Sequence, residues 1–256
     1  MIKVIKVGGN IVDDEAALLK FCDDFASMQG PKVLVHGGGV SASVIQEALG
    51  QKVQKIEGRR VTDADTLKVV TMVYSGWCNK HITALLQARG CNAIGLSGCD
   101  GAAITASRRA PRTLSDGITV VDYGFVGDVT PGSVNVPFLK MLMEEGMVPV
   151  LCAINHDGHG QLLNTNADTV AAGIAAALKG ELVCCFELDG VLSGSGTLIN
   201  SLNTAECRKM IAEGVISGGM IPKVENCLKA LEDGAAAALV TNASNLLNGK
   251  GTRIVI

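Results

Sequence analysis

Ile2-Lys3-Val4-Ile5-Lys6-Val7-Gly8-Gly9 is the most telling segment of the chain. Its apolar residues predict a short strand that carries a lysine near its carboxyl end and runs straight into two glycines. A core strand has no packing use for Lys6, because an unpaired buried ammonium is costly. Glycines at a strand end leave backbone N–H groups bare, so a ligand approaches within hydrogen-bonding distance. A cation beside bare amides at that position is the chemistry of an anion site, most often phosphate. The competing expectation is that Lys6 snorkels out of an edge strand into water.

Beyond this strand, apolar runs of four to six residues alternate with segments of helical period, the pattern of strands joined by crossover helices. Helices are expected near residues 14–28, 41–49, 63–74, 79–88, 136–145, 168–179, 204–213 and 224–232. Strands are expected at 32–36, 93–96, 147–152, 181–186, 237–241 and 252–256, the last closing a sheet edge. Residues 51–60 read as a short charged hairpin, and 102–129, broken by Gly, Pro and Asp, as further hairpins. The texture changes after Gln161, which places a boundary between two lobes near residue 170. The expected class is α/β.

Composition narrows the function. Of 256 residues, 48% are hydrophobic and 18% charged, a compact globular balance and not a disordered one. A net charge of -3 without a basic run argues against nucleic acid. Nine cysteines without a C-x-x-C pair suit reduced cytoplasmic thiols filling the core better than a disulfide framework or zinc site. No apolar run is long enough for a bilayer, and Met1 leads directly into the first strand, so neither a membrane span nor a signal peptide is expected. Glycine, 31 residues, clusters at the ends of apolar runs, where backbone–ligand contact is its expected use.

Four further motifs stand out. His36-Gly37-Gly38-Gly39 follows the second strand and opens a helix, exposing N–H groups beside a positive helix end. Gly37-x-Gly39-x-x-Ala42 also fits a loose dinucleotide fingerprint, though no acid-ended strand follows; a tight structural turn is the other use. No P-loop motif occurs. In Arg59-Arg60-Val61-Thr62-Asp63, Thr62 reads as an N-cap; Arg60, nearer the helix, is the candidate bidentate clamp for a carboxylate, and the other arginine a solvated charge. In Asn164-Thr165-Asn166-Ala167-Asp168, Asn166 caps a helix and Asn164 is left over to face a polar ligand. In Gly218-Gly219-Met220-Ile221-Pro222-Lys223, Pro222 suits a helical first turn while Lys223 opposes the helix dipole, a conflict that a bound anion removes. His156-Asp157-Gly158-His159 reads as a solvated loop and not a metal site.

Taken in order, I-K-V-G-G, H-G-G-G, R-V-T, N-x-N-A-D and G-G-M-I-P-K resemble the amino acid kinase family, and within it the acetylglutamate kinase branch, over essentially the whole chain. The resemblance implies a three-layer α/β sandwich around a largely parallel central sheet. Residues 1–170 would bind the acyl-amino acid and dimerise, and residues 171–256 would bind ATP. It implies ATP-dependent phosphorylation of the γ-carboxylate of N-acetylglutamate, in arginine biosynthesis, with Mg2+ carried in by the nucleotide. By motif match, Lys6 and Lys223 would stabilise the transferring phosphoryl group and Asp168 would orient them. Gly38 and Gly39 would touch substrate, with Arg60 and Asn164 holding its α-carboxylate and amide. Gly8, Gly9, Glu187, Leu188, Asp189, Gly190, Val215, Ile216 and Ser217 would bind ATP.

The chain also departs from the family pattern. Glu187-Leu188-Asp189-Gly190 stands where an Asp-Val-x-Gly pattern is usual, so Glu187 and Asp189 compete for one role near the nucleotide. With only Met1 ahead of the first strand and no Glu-x-Phe-Thr before Gly249-Lys250-Gly251-Thr252, the expectation is a cytoplasmic homodimer not inhibited by arginine. The helix with Leu67, Val70, Val73 and Trp77 on one side is the candidate dimer face, with ordinary core as the alternative. Three other functions compete: the same chemistry on N-succinylglutamate or another acidic amino acid, a nicotinamide-dependent dehydrogenase, and a non-catalytic amino-acid sensor.

Overall fold

The computed structural model describes residues 1–114 and 116–256; Ser115, within the expected 102–129 hairpins, lies outside the described residues. Eight strands form one sheet: β1 (Lys3–Val7), β2 (Lys32–His36), β3 (Ala93–Leu96), β4 (Val148–Cys152), β5 (Glu181–Phe186), β6 (Ser201–Asn203), β7 (Ala237–Asn242) and β8 (Thr252–Val255). Their spatial order is β6-β8-β7-β5-β1-β2-β4-β3. The six strands from β7 to β3 run parallel, while β8 is antiparallel to β7 and parallel to β6. The strand at 252–256 therefore does not close the sheet; three-residue β6 does, a segment too short to show a period of two.

Among the described residues seven longer helices cover the sheet: α1 (Glu15–Ser27), α2 (Gly39–Ala48), α3 (64–87), α4 (Val136–Glu144), α5 (Ala167–Leu178), α6 (Thr204–Ala212) and α7 (Ile221–Glu232). Strand alternation sorts the faces. Ile5 and Val7 of β1 pack with Phe21 and Phe25 of α1 and with Ile82 and Leu86 of α3. The Phe21 and Phe25 rings stack at 5.9 Å, and each buried ring stabilises the fold by roughly 2–3 kcal/mol. Val4 points the other way, against the Ala-rich α5 and the apolar stripe of α7. Lys6, two residues on, shares that face by the period-two rule. β1 thus delivers its lysine beneath the starts of α5 and α7.

α3 corrects the expectation of two helices. Ala64–Thr71, a π-helical turn Met72–Cys78 and Asn79–Gln87 follow one another without a break. Gly76 sits inside the widened turn, where i→i+5 bonds keep the backbone paired. Leu67, Val70 and Val73 are core residues of this chain and not a free face, and Trp77 alone of the four lies outward, stacked on His81. Thr62 is not the cap of α3: Asp63 accepts the Thr66 N–H at 2.8 Å. The 51–60 hairpin forms as Lys55–Ile56 against Arg59–Arg60. A further hairpin, Ile154–His156 with Leu162–Asn164, was not anticipated; it carries Asn164, and its loop is the His156–His159 turn, held by Asp157.

Candidate active site

The sheet changes winding direction at β1, whose neighbours β2 and β5 come from the first and second halves of the chain. In a parallel sheet the loops leaving such adjacent strands diverge, opening a crevice at their carboxyl ends. Gly8-Gly9, His36–Gly39 and Glu187 all lie on those ends.

One cavity of about 200 Å3 there is lined by Lys6, Gly8, Gly9, Phe186, Glu187 and Lys223. Lys6 does not snorkel: its side chain is 9% exposed, and its Nζ lies 2.8 Å from Asp168 Oδ1. Asp168 stands in the first turn of α5, which Asn166 caps by accepting the N–H groups of Asp168 and Thr169. Lys223 enters from the first turn of α7 and rests 3.8 Å above the Phe186 ring centre, with Lys6 at 5.1 Å from the same ring. Burial, then the Lys6 ammonium, pull the Lys223 ammonium below the usual lysine range; Asp168 and Glu187 pull it back. Lys6 and Lys223 are thus set against Asp168 and Glu187, a charge-balanced group beside the point where Gly9 begins a helical turn. Gly8 itself already donates its N–H to Cys185 O at 3.2 Å.

The second cavity, about 220 Å3, is lined by Gly38, Gly39, Arg59, Arg60, Tyr74 and Asn164, among others. Gly38 has no room for a side chain: a Cβ there would lie 2.8 Å from Tyr74 Cδ1 and 2.9 Å from Cys78 Sγ, both in or beside the π turn. His36, wholly buried, holds Gly37 O with Nδ1 at 2.7 Å, while Asn79 Nδ2 meets its Nε2 at 3.0 Å. Because C=O and N–H of one trans peptide point opposite ways, fixing Gly37 O fixes the direction of the Gly38 N–H. Burial pushes the His36 imidazole down to about 4, so the ring stays neutral, donating through Nδ1 and accepting through Nε2.

Arg60 is buried and pre-oriented by Gln46 Oε1, by Gly39 O at 2.7 Å and by Ser43 Oγ at 2.7 Å. A guanidinium has five N–H donors, so these three acceptors do not exhaust it. Asn164 Nδ2 donates to Thr62 Oγ1 at 3.0 Å, which is the task of Thr62 in place of capping. A third cavity, of about 180 Å3, is bounded by Leu188, Gly190, Val215, Ile216, Ser217 and Met220, an apolar slot of the kind that takes a flat ring. Glu187 faces the lysines and accepts from Asn10 Nδ2, whereas Asp189 is engaged by Lys250 at 2.6 Å and Asn245 at 3.1 Å. Sequence reasoning gave no site role to His36, Thr62, Tyr74 or Asn10; only the H-G-G-G context of His36 and the R-V-T context of Thr62 offered a signal.

The chain matches the model of the amino acid kinase family over residues 1–242. It is 48% identical over 258 residues to the acetylglutamate kinase of Bacteroides thetaiotaomicron, covering 98% of this chain and 97% of that one. Among solved structures, the smu.665 protein of Streptococcus mutans UA159 superposes with a TM-score of 0.77 at 28% identity, covering 99% of this chain and 98% of that one. Carbamate kinase from Giardia shares the fold at a TM-score of 0.68 and 15% identity, covering 99% and 98%.

Proposed function

The chain belongs to the amino acid kinase family, and we propose from that premise that it transfers the terminal phosphoryl group of ATP to the γ-carboxylate of N-acetyl-L-glutamate, in arginine biosynthesis. The dehydrogenase alternative falls with the family assignment. The observation that carries the proposal is the convergence of Lys6 and Lys223, tied by Asp168, beside a pocket whose buried Arg60 keeps donors free.

The chemistry asks for little else. A glutamate γ-carboxylate is ionised at neutral pH, so the nucleophile needs no general base. The barrier lies in bringing two anions into line and neutralising the migrating phosphoryl. Lys6 and Lys223 supply that charge, and Asp168 keeps Lys6 in place. The Gly38 and Gly39 amides meet the substrate, Arg60 takes its α-carboxylate and Asn164 its amide. Gly8 and Gly9 pack against the ATP phosphates, Leu188, Gly190 and Val215–Ser217 take the base, and Glu187 lies nearer the transfer point than Asp189. Mg2+ enters as part of the ATP substrate. In this scheme residues 1–170 hold the acyl-amino acid and residues 171–256 the nucleotide. The protein works as a cytoplasmic homodimer; free thiols at all nine cysteines support the compartment, and the exposed Val44, Met72 and Trp77 support self-association. Sedimentation equilibrium at the monomer mass would remove the dimer.

The test is acyl-phosphate formation trapped as hydroxamate, with Mg-ATP and either glutamate or N-acetyl-L-glutamate. Hydroxamate from the acylated substrate alone is expected. No product from folded, ATP-binding protein would refute the activity.

A further inference from the structure

We infer that the substrate pocket contains a second carboxylate subsite, formed by Arg59 with Lys55, so that the preferred acyl group ends in a carboxylate, as succinyl does. The inference rests on the kinase reading above and changes only the acyl end of the substrate.

Arg59 is not the solvated surface charge expected beside Arg60. It lines the pocket together with Lys55 and is half-buried. The hairpin that carries it turns tightly through Glu57 and Gly58, at φ 47° and 74°, which fixes Lys55 and Arg59 on either side of the turn. Around Tyr123 the same region gathers Arg109 and Arg112, whose guanidinium carbons lie 5.8 and 5.9 Å from the ring centre. Arg109 is satisfied by Asp128, with Nε 3.1 and 3.0 Å from its two oxygens, and Arg112 by Glu57. The Arg59 side chain makes no hydrogen bond or ion pair among the described residues, its backbone being paired with Ile56 in the hairpin. Burial, then Arg109 and Arg112, hold its guanidinium below the usual arginine range, with Asp128, already engaged by Arg109, pulling it only part of the way back. Taking a cation out of water beside like charges is unfavourable unless an anion joins it.

The charges of the substrate show which anion. The γ-carboxylate must face Lys6 and Lys223, and the α-carboxylate is taken by Arg60, with Asn164 on the amide. N-acetylglutamate has no third carboxylate for Arg59. An N-acyl group with a terminal carboxylate supplies one, and Arg59 presents the planar donor fork that binds carboxylate bidentately.

Three substrates separate the possibilities: N-acetyl-, N-butyryl- and N-succinyl-L-glutamate, assayed with Mg-ATP in the hydroxamate trap. Butyryl has the length of succinyl without its charge. The expected result is a kcat/KM for succinyl about 10–100-fold above butyryl, the scale of a charge-assisted pair, carried mainly by KM. Arg59→Leu should bring that ratio to near one, and Arg59→Lys should restore part of it, with circular dichroism confirming the fold of both. Equal use of butyryl and succinyl by the wild type, or a ratio that survives Arg59→Leu, overturns the subsite while leaving the kinase intact. No product from any of the three overturns the kinase and the subsite with it.

Discussion

Asp168→Asn removes the carboxylate that pairs with Lys6 and also acts on Lys223. Across the 2.8 Å separating Lys6 Nζ from Asp168 Oδ1, the gross Coulomb attraction is about 6 kcal/mol at an effective dielectric constant of roughly 20. Desolvation offsets much of this, and breaking a buried pair typically costs 3–5 kcal/mol net. The Asp168 side chain keeps 22% exposure, which places the expected loss of stability at the low end, about 3 kcal/mol. A second effect has a definite sign. Asp168 raises the proton affinity of Lys223 against burial and against Lys6, which lower it. Without the carboxylate, Lys223 loses its proton at lower pH. The alkaline limb of the kcat profile should therefore move toward neutrality in the variant. Urea unfolding at pH 7.5 measures the first effect, and hydroxamate rates from pH 6 to 10 the second. An alkaline limb that stays in place, with kcat preserved, would show that Asp168 does not govern the charge on Lys223.

Lys223→Ala should lower kcat by about 10²–10³-fold, the loss of one preorganised donor to developing charge, with little change in KM for the acylglutamate; steady-state kinetics showing the reverse split would place Lys223 in ground-state binding. His36 accepts a proton near 6.5 in the unfolded chain but only at about 4 in the fold. Its contribution to stability is complete above pH 6.5 and disappears as pH falls from 6.5 to 4, a loss of about 3 kcal/mol; denaturant titrations should show that slope weakened in His36→Gln, and parallel acid slopes would contradict it. Gly38→Ala pushes a methyl into Tyr74 and Cys78 at 2.8 and 2.9 Å and should cost roughly 1–3 kcal/mol while raising KM for the acylglutamate; an unchanged melting temperature would mean that the π turn yields freely.

What the sequence disclosed about the fold followed from periodicity. Strand Lys32–His36 and strand Glu181–Phe186 are apolar runs with clean ends, and both form at the expected bounds. α3 was hidden because its widened turn departs from the 3.6-residue period just where Gly76 imitates a stop. The edge strand β6 and the 154–164 hairpin are three-residue pairings chosen by long-range contact, and local pattern carries no trace of such choices.

Within the site, the legible residues were those that local physics does not want. Lys6 in a core strand and Lys223 at a helix start each break a rule, and the structure brings them together over one aromatic ring. The residues that escaped notice obey local rules and act across the chain. Thr62 looks like a cap but meets Asn164 from 102 positions away. His36 looks like the end of an apolar strand, yet its ring links Asn79 of α3 to the Gly37 carbonyl. Arg59 belongs to both groups: its position beside Arg60 drew attention, but only burial among Arg109 and Arg112 turns it from a surface charge into a cation short of a partner. Lys223 and Arg59 are disfavoured by burial and like charge in the protein alone and become favourable when an anion arrives. Binding energy for the substrate is thus built into the fold as electrostatic strain, and the strain is distributed along the path that a multiply charged acyl-amino acid and a polyphosphate would share.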